Sequence, residues 1–506
     1  MNVLQKTTGR SPSCPCCTKC FPDYFTIVCR QSWRRVKVLI KQGSGADSVQ
    51  KTIYTLFQIQ EKADEFQIPL WCAAIDFQKA FDTVEHQALW NALAKQSVPV
   101  AYIHLLTKLY IGQTGRIKTD VLSRSFDISR GTKQGDPLSS LIFNALLEDI
   151  FRDVKQKWAD RKYGVELGYS EASRLTNLRF ADDVFLVSHS WQQVTRMLSD
   201  VRKSAAAVGL LLHPDKTKII TNATNGTGRG KRTHATVDDM QIEIVSLLDP
   251  VKYLGKHVVF EGQVEAEIEH RLRQGRKAFM ANKEELTNNK YSLKCRIRLF
   301  ESVVTPTVLY GSSSWTISVA MEQKLQTTQR RMLRMIFGVG RRRTQHVHEV
   351  DAEQHGSSGS VSTSASSSSS ASSSSRSSSS TRNDIEPWID WIKRATAKVE
   401  SHMVELNIGN WGVAWRRKVW RYAARLAEMP TDRWAVKATV WNAADCPRAK
   451  GRRPHAPKKR WNKEILQFLQ DAGHDVDGTN WFYIAADKNM WKDLEKDFCS
   501  HTRSTR

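Results

Sequence analysis

An apolar run that ends on a carboxylate is hard to accommodate in any fold, and this chain places three acids at the ends of such runs. Residues 70–75 are apolar enough for a buried strand, and Asp76 follows at once. About a hundred residues later, two short apolar runs, 178–180 and 184–187, flank Ala181-Asp182-Asp183. That is the pattern of a β-hairpin with adjacent acids at its tip. Taken singly, each acid has a bland reading: Asp76 bound to backbone donors at a strand end, Asp182 and Asp183 as solvated turn residues. Jointly they constrain more. If the strands are neighbours in one sheet, the three carboxylates converge, and such a cluster suits a hard divalent cation completed by water and phosphate oxygens. Two such ions serve in-line phosphoryl transfer to a primer 3′-hydroxyl.

Between the acids lies SRGTKQGDPLSSLIFNALLEDIF. Asp136 is a candidate N-cap with Pro137 at the first helical position, and Leu138, Leu141, Ile142, Ala145 and Leu146 form the buried face. Gly131 and Gly135 let backbone approach a ligand, while Arg130, Lys133 and Gln134 offer donors to phosphate and to base or sugar edges. Alone, the segment is equally a well-capped helix after a glycine turn. Upstream, Asp82 or Thr83 can cap a helix whose apolar positions include Val84, Ala88, Leu89 and Leu93. Downstream, VGLLLHPDKTKII presents Lys216 and Lys218, either surface lysines or a general acid beside a leaving phosphate. VKYLGKHV reads as a short strand and turn around Tyr253, Leu254 and Gly255.

The charge balance names the class of partner. Lys plus Arg outnumber Asp plus Glu by 76 to 52 in 506 residues, a formal +24. Nucleic acid is the expected polyanion, ahead of an anionic membrane surface. No stretch approaches the roughly 20 apolar residues needed to span a bilayer, and the first thirty residues hold no apolar secretory core. Five of the nine cysteines precede residue 30 without an even disulfide spacing, which suggests a reducing compartment.

Composition divides the chain into blocks. Residues 1–46 read as a cysteine-containing leader with partial fingers, where Cys14, Cys16, Cys17, Cys20 and Cys29 are either zinc ligands or an unstructured leader. Residues 47–260 alternate strand and helix patterns, and 261–345 is mostly helical, with Leu293, Ile297, Phe300 and Val304 at helix spacing. The serine-rich block 346–386 has the composition of a flexible linker. Residues 387–506 read as a separate, mostly helical basic module, its tryptophans mainly core. Within it, KGRRPHAPKKR holds Arg452, Arg453, Lys458, Lys459 and Arg460, suited to phosphate contacts, to a nuclear import signal or to plain solvated charge.

IDFQKAFD, RGTKQGDPLSS, RFADD, GLLLHPDKTK and KYLG stand in the order and spacing of reverse transcriptase palm motifs. Their wording most resembles non-LTR (LINE-type) retrotransposons, with group II intron maturases as cousins. The resemblance covers roughly 47–345. It implies an α+β right-hand polymerase: a palm with an antiparallel sheet and helices, truncated fingers and a helical thumb. It implies that Asp76, Asp182 and Asp183 bind Mg²⁺ (or Mn²⁺), and that Lys216 lies in the motif of the proposed acid. Phe77, Phe81, Arg130, Gly131, Lys133, Gln134 and Gly135 fall where the family meets nucleotide and template, and Tyr253, Leu254 and Gly255 where it grips the primer. Phe81 adds its own argument: a bulky ring beneath the incoming sugar excludes a 2′-hydroxyl, although the same ring also suits an ordinary core position. The implied partners are an RNA template, a DNA primer and dNTPs, without a membrane and with the oligomeric state left open. The implied compartment is nucleus or cytoplasm, the nucleus for a mobile element. The chain departs from the family pattern where no Gly-Phe-Arg segment follows Gly43 or Gly45, and where His213 replaces the usual Asn. A catalytically inactive, truncated remnant that only binds nucleic acid is the alternative reading.

Overall fold

In a computed structural model the described residues are 46–133, 136–168, 174–223, 233–344, 384–446 and 460–501. The cysteine cluster before residue 30, the serine-rich run, Gln134 and Gly135, and Arg452, Arg453, Lys458 and Lys459 lie outside them.

Helix α1 (Ala46–Glu65) leads into β1 (Trp71–Ile75), and α2 (His86–Lys95) and α3 (Pro137–Asp160) follow. The hairpin β2 (Asn177–Phe180) and β3 (Asp183–Ser188) precedes α4 (Trp191–Ala206), β4 (Lys218–Thr221), β5 (Thr233–Val237) and β6 (Met240–Ile244). These six strands form one sheet in the order β2-β3-β1-β4-β6-β5. Strand β1 is central and all five of its residues are buried, so its sequence reads as one apolar run rather than an alternation. Successive side chains still point to opposite faces. Trp71, Ala73 and Ile75 pack beneath α2, α3 and α4 with Phe143, Leu147 and Leu198, while Cys72 and Ala74 face α1 with Leu56 and Phe57. The α+β palm expected from the sequence is present, but its sheet is mixed, because β4 and β6 run parallel.

Local signals read from sequence hold in part. Asp136 caps α3 by accepting the Leu138 amide at 3.0 Å, with Pro137 at the first position. The cap expected at Asp82 or Thr83 lies elsewhere. Val84 is extended and fully buried, α2 starts after Glu85, and the Thr83 hydroxyl donates back to the Gln78 carbonyl at 3.3 Å.

Beyond the sheet come the hairpin β7 (Val251–Tyr253) and β8 (Lys256–Val258), then α5 (Gln263–Ala281) and α6 (Val319–Ile336). The C-terminal helices include α7 (Trp388–Glu405), α8 (Trp411–Ala427), α9 (Trp434–Val440), α10 (Lys463–Asp471) and α11 (Lys488–Ser500). No described helix is long and apolar enough to cross a membrane.

The division of the chain differs from the linear blocks of its composition. Among the described residues, one compact unit holds those within 1–274, 308–322 and 412–506; the other holds those within 275–307 and 323–411. The boundary expected at 387 therefore falls at 411–412. Its physical reason is where the apolar side chains go. In the second unit Trp411 stacks on Phe300 with ring centroids 5.9 Å apart, and its indole N–H donates to Thr305 at 3.0 Å. In the first unit, α9 packs on α1: Ala438, Trp441 and Ala443 share a core with Ile53, Leu56 and Phe57. Lys62 at the end of α1 donates to the carbonyls of Ala438, Thr439 and Trp441 at 2.7, 2.7 and 2.6 Å, a cation at the C-terminus of α9. The described residues 434–446 thus share a core with α1.

Candidate active site

The acids come together through strand register. Strands β1 and β3 pair antiparallel with Ile75 opposite Val184, so the next step outward sets Asp76 level with Asp183. The β2–β3 hairpin closes on Phe180 opposite Asp183, leaving Ala181 and Asp182 as the turn. Ala181 takes φ 51°, a left-handed conformation that costs a non-glycine residue about 1 kcal/mol or more and is tolerated where surrounding structure imposes it.

Electrostatics reflect that crowding. Burial, then the charges of Asp182 and Asp76, push the Asp183 carboxyl up to about 6, while Lys252 pulls it back. Asp182 is also raised, by burial first and then by Asp76. The Lys216 ammonium stands 3.7 Å from Asp76, both groups well exposed to water. The Asp76 backbone is tied to the segment bearing that lysine, since His213 N–H donates to the Asp76 carbonyl and Gln78 N–H to that of Leu211, both at 2.8 Å. Among the described residues no three acids, histidines or cysteines already surround one point closely enough to hold an ion. The donor set nonetheless has the chemistry of a hard-cation site: three carboxylates at one end of the sheet, where the Asp76 charge raises the proton affinity of Asp182 and Asp183.

A second wall is built from the loop before α3. Gly131 N–H donates to Val84 O at 2.8 Å, Thr132 N–H to Phe81 O at 2.6 Å, and His86 Nε2 to Gly131 O at 2.8 Å. Gly131 has φ +87°, and a Cβ there would lie 2.8 Å from the Asp82 carbonyl oxygen, so the close approach requires glycine. Arg130 is exposed, 3.9 Å from Glu85, and Lys133 is half-buried. Phe77 is buried; Phe81 is half-buried, its ring 4.5 Å from that of Phe143. One face of Phe81 packs on the core and the rest remains accessible.

The turn at 253–255 is held in place from several sides. The Tyr253 ring lies 4.9 Å from Phe185 and its hydroxyl donates to Leu178 O at 3.1 Å, so this side chain belongs to the core. Leu254 and Gly255 both have positive φ, 49° and 69°. Tyr310 donates to the Leu254 carbonyl at 3.1 Å, and Arg271 donates to the Gly255 carbonyl. Beneath the turn, Lys256 and Glu267 are fully buried 3.8 Å apart, and Arg271 Nε donates to Glu267 at 2.7 Å.

Sequence reasoning passed over two contacts. Arg179 on β2 donates to Glu148 at 2.6 Å and to Leu147 O at 3.3 Å, and its guanidinium lies 4.5 Å above the Phe151 ring. This anchors the acid-bearing hairpin to α3. Its signal was legible: an arginine inside a short strand and an acid on the apolar side of a helix each demand a partner. Lys252, which favours the charged form of Asp183, had no such signal. Of the predicted basic run, Arg460 is held by Glu65 through two bonds of 3.0 and 2.6 Å. Arg460 thus has a carboxylate partner within the protein, a pairing its open sequence context does not reveal.

Residues 27–258 match the family described as reverse transcriptase (RNA-dependent DNA polymerase). This part of the chain is a reverse transcriptase domain. Over 326 residues, 63% of its length, the chain is 25% identical to a putative uncharacterized transposon-derived protein of Caenorhabditis elegans, of which the match covers 94%. The chain also aligns at 28% identity with the Pol polyproteins of R2 retrotransposable elements from Nasonia vitripennis and Drosophila melanogaster. Those matches cover 37% and 38% of this chain but only 18% of each polyprotein. Telomerase from Candida albicans, solved with a fragment of telomeric RNA, overlaps 62% of the chain and 54% of its own at 12% identity and a TM-score of 0.35. That overlap is loose, and the fold rests on the strand order and register given above.

Proposed function

We propose that the chain is an RNA-directed DNA polymerase of a non-LTR retrotransposon, which extends a DNA primer on an RNA template from dNTPs. The observation that carries this reading is the register that brings Asp76 level with Asp183 across β1 and β3, with Asp182 on the adjoining turn. Asp76, Asp182 and Asp183 would hold Mg²⁺ or Mn²⁺, which supplies the charge for hydroxyl activation and pyrophosphate departure. Lys216, exposed and beside Asp76, keeps an ammonium proton within reach of a leaving phosphate. Phe81, fixed from behind by Phe143, blocks the space of a 2′-hydroxyl. The loop around Arg130, Gly131 and Lys133 supplies donors toward nucleotide and template, and the turn of Leu254 and Gly255 presents backbone to the primer. A retroelement polymerase of this kind works in the nucleus, and the excess of positive charge suits its polyanionic substrates.

Primer extension by the full chain on a homopolymeric RNA template with Mg²⁺ tests the proposal. Extension with dNTPs that stops on chelation is expected, whereas RNA binding without extension would establish the binding-only remnant instead. In the active enzyme, Phe81→Val should raise ribonucleotide incorporation relative to deoxynucleotide at least tenfold, the discrimination that about 1.4 kcal/mol provides. An unchanged ratio removes the gate.

A further inference from the structure

Helices α8 and α11 are locked together by a reciprocal pair of tryptophans. Trp420 and Trp491 stack with centroids 3.7 Å apart at 7°, Trp420 Nε1 donates to Trp491 O at 2.8 Å, and Trp491 Nε1 donates to Trp420 O at 3.0 Å. Both rings are buried, and Phe498 stacks on Trp420 at 4.5 Å, so the spacing of the two helices is rigid. Alongside this seam runs an open groove of about 450 Å³. Arg417 and Arg421 line one side, Lys492 and Lys496 the other, with Val413 and Cys499 among the remaining lining residues. Each basic pair has i,i+4 spacing, which sets the charges about 6 Å apart along each helix.

Glu495 is the acid lining the groove, held by Arg421 at 2.8 and 2.9 Å and by Arg417 at 3.3 Å. Lys492 and Lys496 have no carboxylate at ion-pair distance among the described residues. Four cations against one anion leave a net +3 on a preformed concave surface. Exposed charge is usually only solvated, but here the charges repeat along two facing rails at fixed separation. That pattern matches a repeating anion rather than a single phosphate, and 6 Å is close to the step between phosphates on an extended strand.

We propose that the α8–α11 groove binds the phosphodiester backbone of single-stranded RNA, apart from the polymerase site. The choice of RNA rests on the reading of the domain as RNA-templated, whereas the groove's affinity for a polyanion does not. Each phosphate contact releases condensed counterions, so log affinity falls with log salt by about 0.7 per contact on single strands.

The test is binding of the full chain to a 20-nucleotide oligouridine across a salt series, with primer extension at saturating primer–template measured in parallel. Changing Arg417, Arg421, Lys492 and Lys496 together to Gln should weaken binding about a hundredfold at 0.1 M salt and flatten the slope by about 2, with extension retained. Glu495→Gln should do the opposite, tightening binding about fivefold by freeing one further net charge. That gain distinguishes a working groove from a variant that merely folds poorly. Unchanged affinity and slope in both variants overturn the proposal. Because binding is read directly, an inactive polymerase leaves the test intact.

Discussion

Asp183→Asn should reduce primer extension at least a thousandfold, about 4 kcal/mol of transition-state stabilisation, without lowering the melting temperature. The two halves of this result come from one piece of geometry. Asp183 is raised to about 6 by burial and by the neighbouring Asp182 and Asp76, so in the absence of a bound cation its charge works against the fold. Asparagine keeps the shape and removes the repulsion, at the cost of the ligand. A melting temperature that holds or rises while extension disappears is the expected pair of readings. Loss of both together would mean that Asp183 is a structural residue, and persistent extension would remove it from the site. Such opposition between local stability and activity is common where catalytic groups are clustered.

The second large effect lies under the 253–255 turn. Glu267→Ala should destabilise the protein by about 3–5 kcal/mol, because it leaves Lys256 and Arg271 without their shared counter-ion in a dry setting. Lys256 is fully buried, and burial pushes its ammonium down to about 7 even with Glu267 beside it. It also donates to Gly311 O at 2.8 Å and lies 5.1 Å from the Phe57 ring, so no route to water opens when Glu267 goes. Chemical denaturation of Glu267→Ala, Lys256→Met and the double variant provides the check. The double variant should lose well under the sum of the singles, with a coupling of at least about 1 kcal/mol. Additive losses would show that the two charges do not depend on each other. In a Glu267→Ala variant that remains folded, the proposed primer role of the turn predicts that a loosened Arg271 tether weakens primer binding with little change in dNTP use.

What the sequence made legible was whatever depends on a few adjacent residues. The apolar run of β1 with Asp76 after it, the acid-tipped hairpin and the Asp136-Pro137 start of α3 all carry their reasons locally. What it hid depends on partners far along the chain. Helix α1 carries Thr55, Gln58 and Glu65, which look like a solvent face, yet all three are buried. Glu65 is answered by Arg460 and Lys62 by the end of α9, and neither pairing has a local signature. Lys256 in KYLGKHV looks like any surface lysine until Glu267 and Gly311 are placed around it. The division at 411 was missed for the same reason, since a tryptophan-rich sequence announces that it will be buried but not against what.

The pairing of α1 with residues near the opposite end of the chain has a consequence for biosynthesis. Glu65 and Arg460 are 395 positions apart, and Tyr54 meets Thr439 across 385. At about 5–20 residues per second, α1 leaves the ribosome roughly 20–80 seconds before its counterpart exists. During that interval the face of α1 that α9 covers is open. A transcript cut short before the codons of α9 would not give a smaller enzyme. It would give a nascent chain with an exposed seam, a substrate for chaperones and proteases.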